Sequence, residues 1–184
     1  MKIYFTASIT GKKKYEKNYR LVVDILKSLG HELILNSLFD KDAEEIWNQS
    51  KEINKKFSKL LQGYIKECDV MVAEVSYPSI SNGFEISYSL NAGKPVLVLY
   101  STKRPVPVLD GIENDQLVVE KYDFENAKKV IKGALDYINE KTDTRFTMLI
   151  PANITSFLDE VSKKRKVPRS VFIRNLIEKE IRKK

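Results

Sequence analysis

The sequence predicts a doubly wound α/β fold, with a parallel sheet of about five strands, followed by a small C-terminal module. Short apolar runs alternate with longer segments of helical periodicity through residues 1–140. This alternation is typical of parallel sheets, because each crossover between parallel strands needs a helix-length connection. Residues 1–140 hold 20 Lys and Arg against 20 Asp and Glu, whereas residues 141–184 hold 12 against 5. The whole net charge of +7 therefore lies in the last segment, and we place one domain over residues 1–140 and a second over residues 141–184.

Five apolar runs are the predicted strands of the sheet. Parallel strands are covered on both faces, so they are continuously apolar rather than alternating. The last run is the shortest, which predicts an edge strand. In order, the runs cover residues 3–7, 31–35, 69–75, 95–100 and 116–119.

Helices are predicted where apolar residues recur every three or four positions. Gly30 ends the first of them, and Gly93 stops the third. The polar segment 37–50 has no such period, and we expect it to form a lid over a site. The predicted helices cover residues 15–29, 51–67, 83–91 and 123–139. Ligands of such sheets bind at the carboxyl ends of the strands, so we expect the site at loops 8–14 and 76–84.

The composition excludes several classes of protein. No apolar run reaches the ~18 residues of a membrane span, and the first residues lack the apolar core of a signal peptide. The single cysteine, Cys68, excludes an internal disulfide framework, and we interpret it as a buried filler. Together with the single histidine, His31, which we interpret as structural, it makes no transition-metal set. We therefore expect a cytoplasmic protein with no metal, no cofactor and no membrane contact.

Two sequence motifs point to a known family. The segment MVAEVSYPS over residues 71–79 is followed by GFEISY over residues 83–88, and YFTASITG covers residues 4–11. Together they resemble the nucleoside 2-deoxyribosyltransferase superfamily, nearest its branch of 2′-deoxynucleoside 5′-monophosphate N-glycosidases. The resemblance spans about residues 2–138. It implies an enzyme that cleaves or exchanges the N-glycosidic bond of (deoxy)nucleosides or their 5′-monophosphates.

The resemblance makes Glu85 the catalytic nucleophile. Cleavage of an N-glycosidic bond passes through an oxocarbenium-like state at the anomeric carbon, which a carboxylate can stabilise or attack. Gly83 is a candidate binding residue, since glycine leaves room for a ligand beside the carboxylate. From the residues alone a second interpretation is open, in which Glu85 complements the dipole of its own helix.

The loop after the first strand is a candidate anion site. Ser8, Ile9, Thr10 and Gly11 offer backbone N–H groups at the start of a helix. In the family that the segment resembles, this loop and the serine matching Ser79 hold a 5′-phosphate.

Neighbouring residues allow two interpretations each. Lys12, Lys13 and Lys14 either add positive charge to the anion site or form a solvated helix start. Tyr4 either lines the sugar pocket or is a core aromatic residue. Asp69 is a candidate substrate-binding residue, although its position also suits a cap at the entry of the third strand.

Several positions depart from the pattern of the branch. Thr10 replaces the usual arginine of the first loop, and Ala7 replaces its glycine. Leu61 stands where the branch carries an aspartate associated with protonation of the leaving base. The branch also borrows a serine from its dimer partner, and Leu109 is nearest to that position here. The general acid is therefore unassigned, and segment 37–50 offers four candidates: Asp40, Asp42, Glu44 and Glu45.

The last residues predict a small separate module. A short strand over residues 145–151 ends at a proline, and helical periodicity returns over residues 153–165 and 169–183. A strand and two helices in about 40 residues cannot bury their own apolar face, so we expect a homodimer or a higher even oligomer. The segment resembles the ribbon–helix–helix family of the Arc/MetJ type over about residues 144–183.

This second resemblance implies double-stranded DNA as a partner. In that family, paired strands enter the major groove. Arg145 and Thr147 would then face base edges, and Arg169 and Ser170 would meet phosphates. Leu149 shares the outward face of the strand but cannot hydrogen-bond to a base. A module that only dimerises the enzyme is therefore the alternative.

Three functional hypotheses follow. The first is an enzyme that acts on nucleosides or nucleotides through Glu85. The second is a transcriptional regulator, whose α/β domain senses a nucleotide and whose C-terminal module binds an operator. The third is a nucleotide-depleting effector whose C-terminal module regulates its own promoter.

Overall fold

The chain forms two compact units, Met1–Thr142 and Asp143–Lys184. The computed structural model describes residues 1–36, 38–103, 106–112, 114–141, 149–165, 167–181 and 183. The first unit is a five-stranded parallel sheet with helices on both faces, which confirms the predicted fold class.

The sheet has the strand order β2-β1-β3-β4-β5, and every neighbouring pair is parallel. All five predicted strands are present, and β5 lies at an edge as predicted. The chain reverses its direction of winding between β1 and β3, so a crevice opens at their carboxyl ends. The strands are β1 (Lys2–Ala7), β2 (Glu32–Leu35), β3 (Val70–Glu74), β4 (Val96–Tyr100) and β5 (Leu117–Lys121).

Six helices lie in the described residues of this unit. They are α1 (Lys12–Ser28), α2 (Ala43–Trp47), α3 (Lys51–Glu67), α4 (Ile80–Asn91), α5 (Pro107–Asp110) and α6 (Ala127–Lys141). Helices α1 and α6 cover one face of the sheet, and α3 and α4 contribute to the core on the other. Alternate residues of one strand therefore enter different cores: Phe5 packs with α1 and α6, whereas Tyr4 packs with α3 and α4. Cys68 is fully buried in the second core, as predicted.

Two short helices were not predicted, and one helix begins earlier than predicted. Helix α2 lies inside segment 37–50, where five residues are too few to show a period, but the capping box of Asp42 and Glu45 marks its start. Helix α5 begins at a proline, which suits the first helical position. Helix α4 begins at Ile80 rather than at residue 83, because the Ser79 side chain accepts a hydrogen bond from the Asn82 N–H and caps it.

In the second unit, the described residues form two helices, α7 (Ala152–Arg165) and α8 (Arg169–Ile181). They confirm the two predicted helices, and the Phe157 and Phe172 rings pack edge-on with centroids 6.5 Å apart. The predicted strand over residues 145–151 lies mostly outside the described residues. Among the helices of the described ranges, none has the length and apolar character needed to cross a membrane.

Candidate active site

A pocket of about 200 Å³ lies where the loops that follow β1 and β3 meet. It contains four of the predicted site residues, Ile9, Thr10, Ser79 and Glu85. Its other lining residues come from β1, from the segment between β2 and α3, from α3 itself and from α4. They are Thr6, Ala7, Asn36, Leu38, Ile46, Trp47, Phe57, Ser81 and Asn82.

Glu85 is the carboxylate of this pocket. Its side chain points from α4 towards β1 and is almost completely buried. The Tyr4 hydroxyl donates a 2.9 Å hydrogen bond to Glu85 Oε2, and Asn36 Nδ2 donates to the Tyr4 hydroxyl at 3.3 Å. Burial raises the pKa of Glu85, whereas the hydrogen bonds from Thr6 and Tyr4 lower it. The carboxylate is thus held in one orientation by neutral donors at the base of the pocket.

Both interpretations of Tyr4 describe part of what is observed. Its ring is fully buried and packs against Tyr64 with centroids 5.9 Å apart, as a core aromatic residue does. Its hydroxyl nevertheless reaches the pocket carboxylate. Burial raises the pKa of the Tyr4 hydroxyl, and the nearby Glu85 charge raises it further. Tyr4 therefore keeps its proton and acts as a hydrogen-bond donor.

The lining of the pocket combines two kinds of surface. Thr10, Ser79 and Ser81 contribute hydroxyl groups, and we call these three residues the hydroxyl lining. Phe57 and Trp47 contribute aromatic rings, and Trp47 is 67% exposed. Because Glu85 lines the same pocket, a ligand meets hydroxyl groups, a carboxylate and aromatic rings there.

The loop after β1 is tightly folded. The Gly11 N–H donates to Ser8 Oγ at 3.2 Å, and the Tyr19 hydroxyl donates to the Ser8 carbonyl at 3.2 Å. A Cβ at Gly11 would lie 2.4 Å from Tyr77 Cβ and 2.6 Å from the Tyr19 hydroxyl, so only glycine fits. Ser8 and Gly11 therefore shape the loop by bonding to each other, while Ile9 and Thr10 line the pocket.

Several other candidates lie elsewhere. Asp69 precedes β3 and accepts a 2.7 Å hydrogen bond from the Lys2 N–H, so it caps the amino edge of the sheet, opposite the pocket. Gly83 is exposed on α4, and an added Cβ would meet no protein atom within 4 Å. Lys12 Nζ donates to the carbonyls of Phe39 (2.9 Å) and Lys41 (3.0 Å), which ties it to the segment before α2. The structure does not bring Asp69 or Gly83 to the pocket, and Lys12 is occupied by these carbonyls.

None of the four general-acid candidates lines the pocket. Asp42 and Glu45 hold each other's backbone N–H groups in the capping box of α2. Asp40 and Glu44 are exposed. Leu61 is a buried core residue of α3. Glu85 is the only carboxylate among the described residues that line this pocket.

Sequence reasoning missed several pocket residues. Thr6 lies two positions after Tyr4 on β1, so strand alternation places it on the same face and was a usable signal. Trp47 is the only tryptophan of the chain and stands in a polar segment, which was a second signal. Asn82 lies three positions before Glu85 on α4, so helical spacing was a third signal. Asn36 carried none, because only the folded chain brings it to the Tyr4 hydroxyl.

The predicted DNA-contact residues are only partly described. Arg145 and Thr147 lie outside the described residues. Arg169 forms an ion pair with Asp159 of α7, and Ser170 is exposed. In the part of the chain that the structure describes, no group of three or more His, Cys, Asp or Glu side chains is placed to hold a metal ion.

Comparison with known proteins agrees with the motifs. Residues 3–149 match the protein family described as nucleoside 2-deoxyribosyltransferase. A relative from Thermofilum pendens, provisionally named 2′-deoxynucleoside 5′-phosphate N-hydrolase 1, is 30% identical over 145 residues, which cover 78% of this chain and 94% of the relative. A relative of the same name from Syntrophotalea carbinolica is 33% identical over 110 residues, which cover 59% of this chain and 74% of the relative. The solved structure of a Clostridium botulinum CMP N-glycosidase matches with a TM-score of 0.49 and 19% identity, covering 74% of this chain and 99% of that one.

Proposed function

This chain belongs to the nucleoside 2-deoxyribosyltransferase family, and from that premise we propose that it hydrolyses 2′-deoxynucleoside 5′-monophosphates through Glu85. Membership of the family makes it an enzyme that acts on N-glycosidic bonds of nucleosides or nucleotides. The proposal narrows this to hydrolysis of the phosphorylated substrate, which is the reaction in the names of both relatives.

The observation that carries the proposal is the buried Glu85 carboxylate, oriented by Tyr4 at the base of a pocket. A Glu85 oxygen attacks the anomeric carbon while the bond from that carbon to the base breaks, and the base leaves with the bonding electrons. The base then takes up a proton from solvent. Water next attacks the same carbon, loses a proton to solvent and displaces the carboxylate, giving 2-deoxyribose 5-phosphate and free base.

The polarity of the pocket supports one orientation of the substrate. In this proposal the 5′-phosphate binds at the hydroxyl lining with Thr10 and Ser79, where α4 begins and its dipole favours an anion. The base stacks against Trp47. The sugar then lies beside Glu85.

Release of free base from a panel of deoxyribonucleoside and ribonucleoside monophosphates tests the proposal. We expect Glu85→Gln to lose at least ~1,000-fold in kcat, because an amide is not a nucleophile for this step. Glu52→Gln is the matched control, since Glu52 is an exposed carboxylate in the first turn of α3. Equal turnover by Glu85→Gln and the control would overturn the assignment. If the enzyme transfers the sugar to an added free base in place of hydrolysis, the acceptor is that base rather than water, and Glu85 remains the nucleophile.

We also propose that α7 and α8 pair with a second copy of the chain. Apolar side chains on both helices are exposed in the single chain: Ile154, Phe157, Leu176 and Ile177 are each 46–56% exposed. A unit this small needs a partner to cover such a surface. Leu176→Glu should lower the molar mass in light scattering, whereas Asn175→Glu, with the same added charge on an exposed neighbour, should not. An unchanged mass for Leu176→Glu would contradict the pairing.

The second candidate function is a nucleotide-sensing regulator of the ribbon–helix–helix type, favoured by the concentration of the +7 net charge in residues 141–184. An operator-binding module loses affinity steeply as salt rises, because phosphate contacts release counterions. Sequence-selective DNA binding that weakens in Arg145→Ala would support this function. Equal, weak binding to all duplexes would leave the module as a dimerisation unit.

A further inference from the structure

A second buried carboxylate, Glu74, lies at the carboxyl end of β3 on the opposite face of the sheet from Glu85. It is fully buried, like Val70 and Val72, which precede it at alternate positions and pack with α1 and α6. Ser76 Oγ and the Tyr122 hydroxyl donate to Glu74 Oε1, the latter at 3.0 Å, and the Ser76 N–H donates to Oε2 at 3.3 Å. Glu74 takes no part in the proposed hydrolysis, so its burial has another reason.

The contacts of Glu74 extend into a network that joins four elements. Ser76 Oγ lies 2.9 Å from Ser101 Oγ, and it accepts a 2.8 Å hydrogen bond from the Ser101 N–H. Asn18 of α1 donates to Ser101 Oγ at 3.0 Å. The ends of β3, β4 and β5 and the middle of α1 are thus held together by one set of buried and partly buried polar groups. Such a network is rigid when every member is satisfied.

The network borders both loops of the proposed phosphate site. Asn82 Nδ2 donates to the Glu74 carbonyl at 3.3 Å, and the Asn82 N–H caps onto Ser79. Both ends of the segment from Ser76 to Asn82 are therefore attached to Glu74, one through its side chain and the other through its backbone. On the other side, Tyr19, whose pKa is raised by burial and by the nearby Glu74 charge, donates to the carbonyl of Ser8.

We propose that Glu74 is a positioning residue, which holds the segment 76–82, and Ser79 within it, in the conformation that binds the 5′-phosphate of the substrate. This inference rests on the proposed function, since it assigns the hydroxyl lining of the pocket to a phosphate. A carboxylate can accept from all three of its donors at once, including the Ser76 N–H, which cannot turn away. Glutamine in its place keeps the shape but replaces one acceptor by a donor, so the segment loses one of the hydrogen bonds that hold it.

Protonation of Glu74 has a similar consequence. Burial raises its pKa to about 7, against the hydrogen bonds from Ser76 and Tyr122. The titratable groups that face it are Tyr122, after β5, and Tyr19, on α1, and the remaining partners are neutral. The ionised form, which accepts three hydrogen bonds, therefore predominates above neutral pH, and the anchor weakens as the pH falls below it.

The test measures the affinity of the purified protein for 2-deoxyribose 5-phosphate by calorimetry, so no turnover is needed. We expect Glu74→Gln to raise its Kd about tenfold at pH 8, which corresponds to about one lost hydrogen bond to a charged group. Ser101→Ala, which removes a neighbour of Ser76 and leaves the carboxylate intact, should raise the Kd less and in the same direction. Lowering the pH to 6 should weaken binding more in the parent than in Glu74→Gln. The ligand phosphate also gains a proton in this range, because its second pKa is near 6. That protonation affects the parent and Glu74→Gln alike, so the difference between the two proteins reports the titration of Glu74.

The preference for a phosphorylated over an unphosphorylated substrate distinguishes a positioning role of Glu74 from general damage to the fold. In Glu74→Gln the ratio of kcat/KM for a 5′-monophosphate to that for the unphosphorylated nucleoside should fall about tenfold, whereas a merely loosened fold lowers both values together. An unchanged Kd in both variants, or no measurable binding of the sugar phosphate by the parent, would overturn the inference. Failure of the proposed function would be seen separately, as the absence of base release in the parent while sugar phosphate still binds.

Discussion

The Tyr4 hydroxyl donates a 2.9 Å hydrogen bond to Glu85, from the first strand of the sheet to a helix 81 residues later in the chain. The bond joins the two motifs that identify the family at the point where the proposed reaction takes place. It also opposes the effect of burial on Glu85, since a donor favours the ionised carboxylate. A buried carboxylate that must be ionised to act as a nucleophile is stabilised by such a donor.

Removal of this donor should therefore alter the pH dependence of turnover. Tyr4→Phe raises the pKa of Glu85 further, because burial then acts with only Thr6 opposing it. We expect the acid limb of the kcat/KM profile to move to higher pH, which lowers kcat/KM on that limb about tenfold for each pH unit by which it moves. Tyr64→Phe is the control, since its ring packs against Tyr4 but the Tyr4 hydroxyl remains. An acid limb that stays in place in Tyr4→Phe would show that Glu85 does not control this limb.

Much of the fold follows from local pattern, and the site follows only in part. The five strands are continuous apolar runs and the four long helices of the first unit are periodic segments, so local pattern was sufficient to predict them. The positions of Ile9, Thr10 and Ser79 follow from a general property of parallel sheets, in which loops at the carboxyl edge meet. The lysine after the loop was misleading, because Lys12 bonds to carbonyls 27 and 29 residues away that no local pattern predicts.

Trp47 should contribute mainly to substrate binding. Stacking of a base on an aromatic side chain is worth about 1–3 kcal/mol, so Trp47→Ala should raise KM by about 5- to 100-fold with a smaller change in kcat. Because it is the only tryptophan, its fluorescence reports ligand binding directly. Phe124→Ala is the control, as this exposed aromatic residue does not line the pocket. Fluorescence that does not respond to saturating substrate would place the base elsewhere.

Gly11 and Gly63 should respond in opposite ways to an added methyl group. Gly11→Ala drives a Cβ to within 2.4 Å of Tyr77, so the loop must shift, and we expect a loss of about 1–3 kcal/mol in the free energy of unfolding together with weaker phosphate binding. Gly63→Ala meets nothing within 4 Å in the middle of α3 and should gain about 0.5–1 kcal/mol from helix propensity. Urea unfolding of the two variants measures the difference. Equal stabilities would show that the loop around Gly11 adapts without cost.

The buried carboxylate at position 74 should make the protein less stable as the pH rises towards neutrality. Its pKa is about 7 in the folded protein against 4.5 in the unfolded chain, so the folded state binds more protons between these two values. The free energy of unfolding then falls with rising pH across this window, by up to about 3 kcal/mol from this group alone. Glu74→Gln cannot titrate, so the stability of the parent relative to this variant should decline from pH 4.5 to 7 and level off above it. Parallel curves from urea unfolding at each pH would contradict the raised pKa. The ionised form of Glu74, which positions segment 76–82, is thus the form that stabilises the fold least. A buried charge that is retained for binding rather than for stability is expected to lower stability in this way.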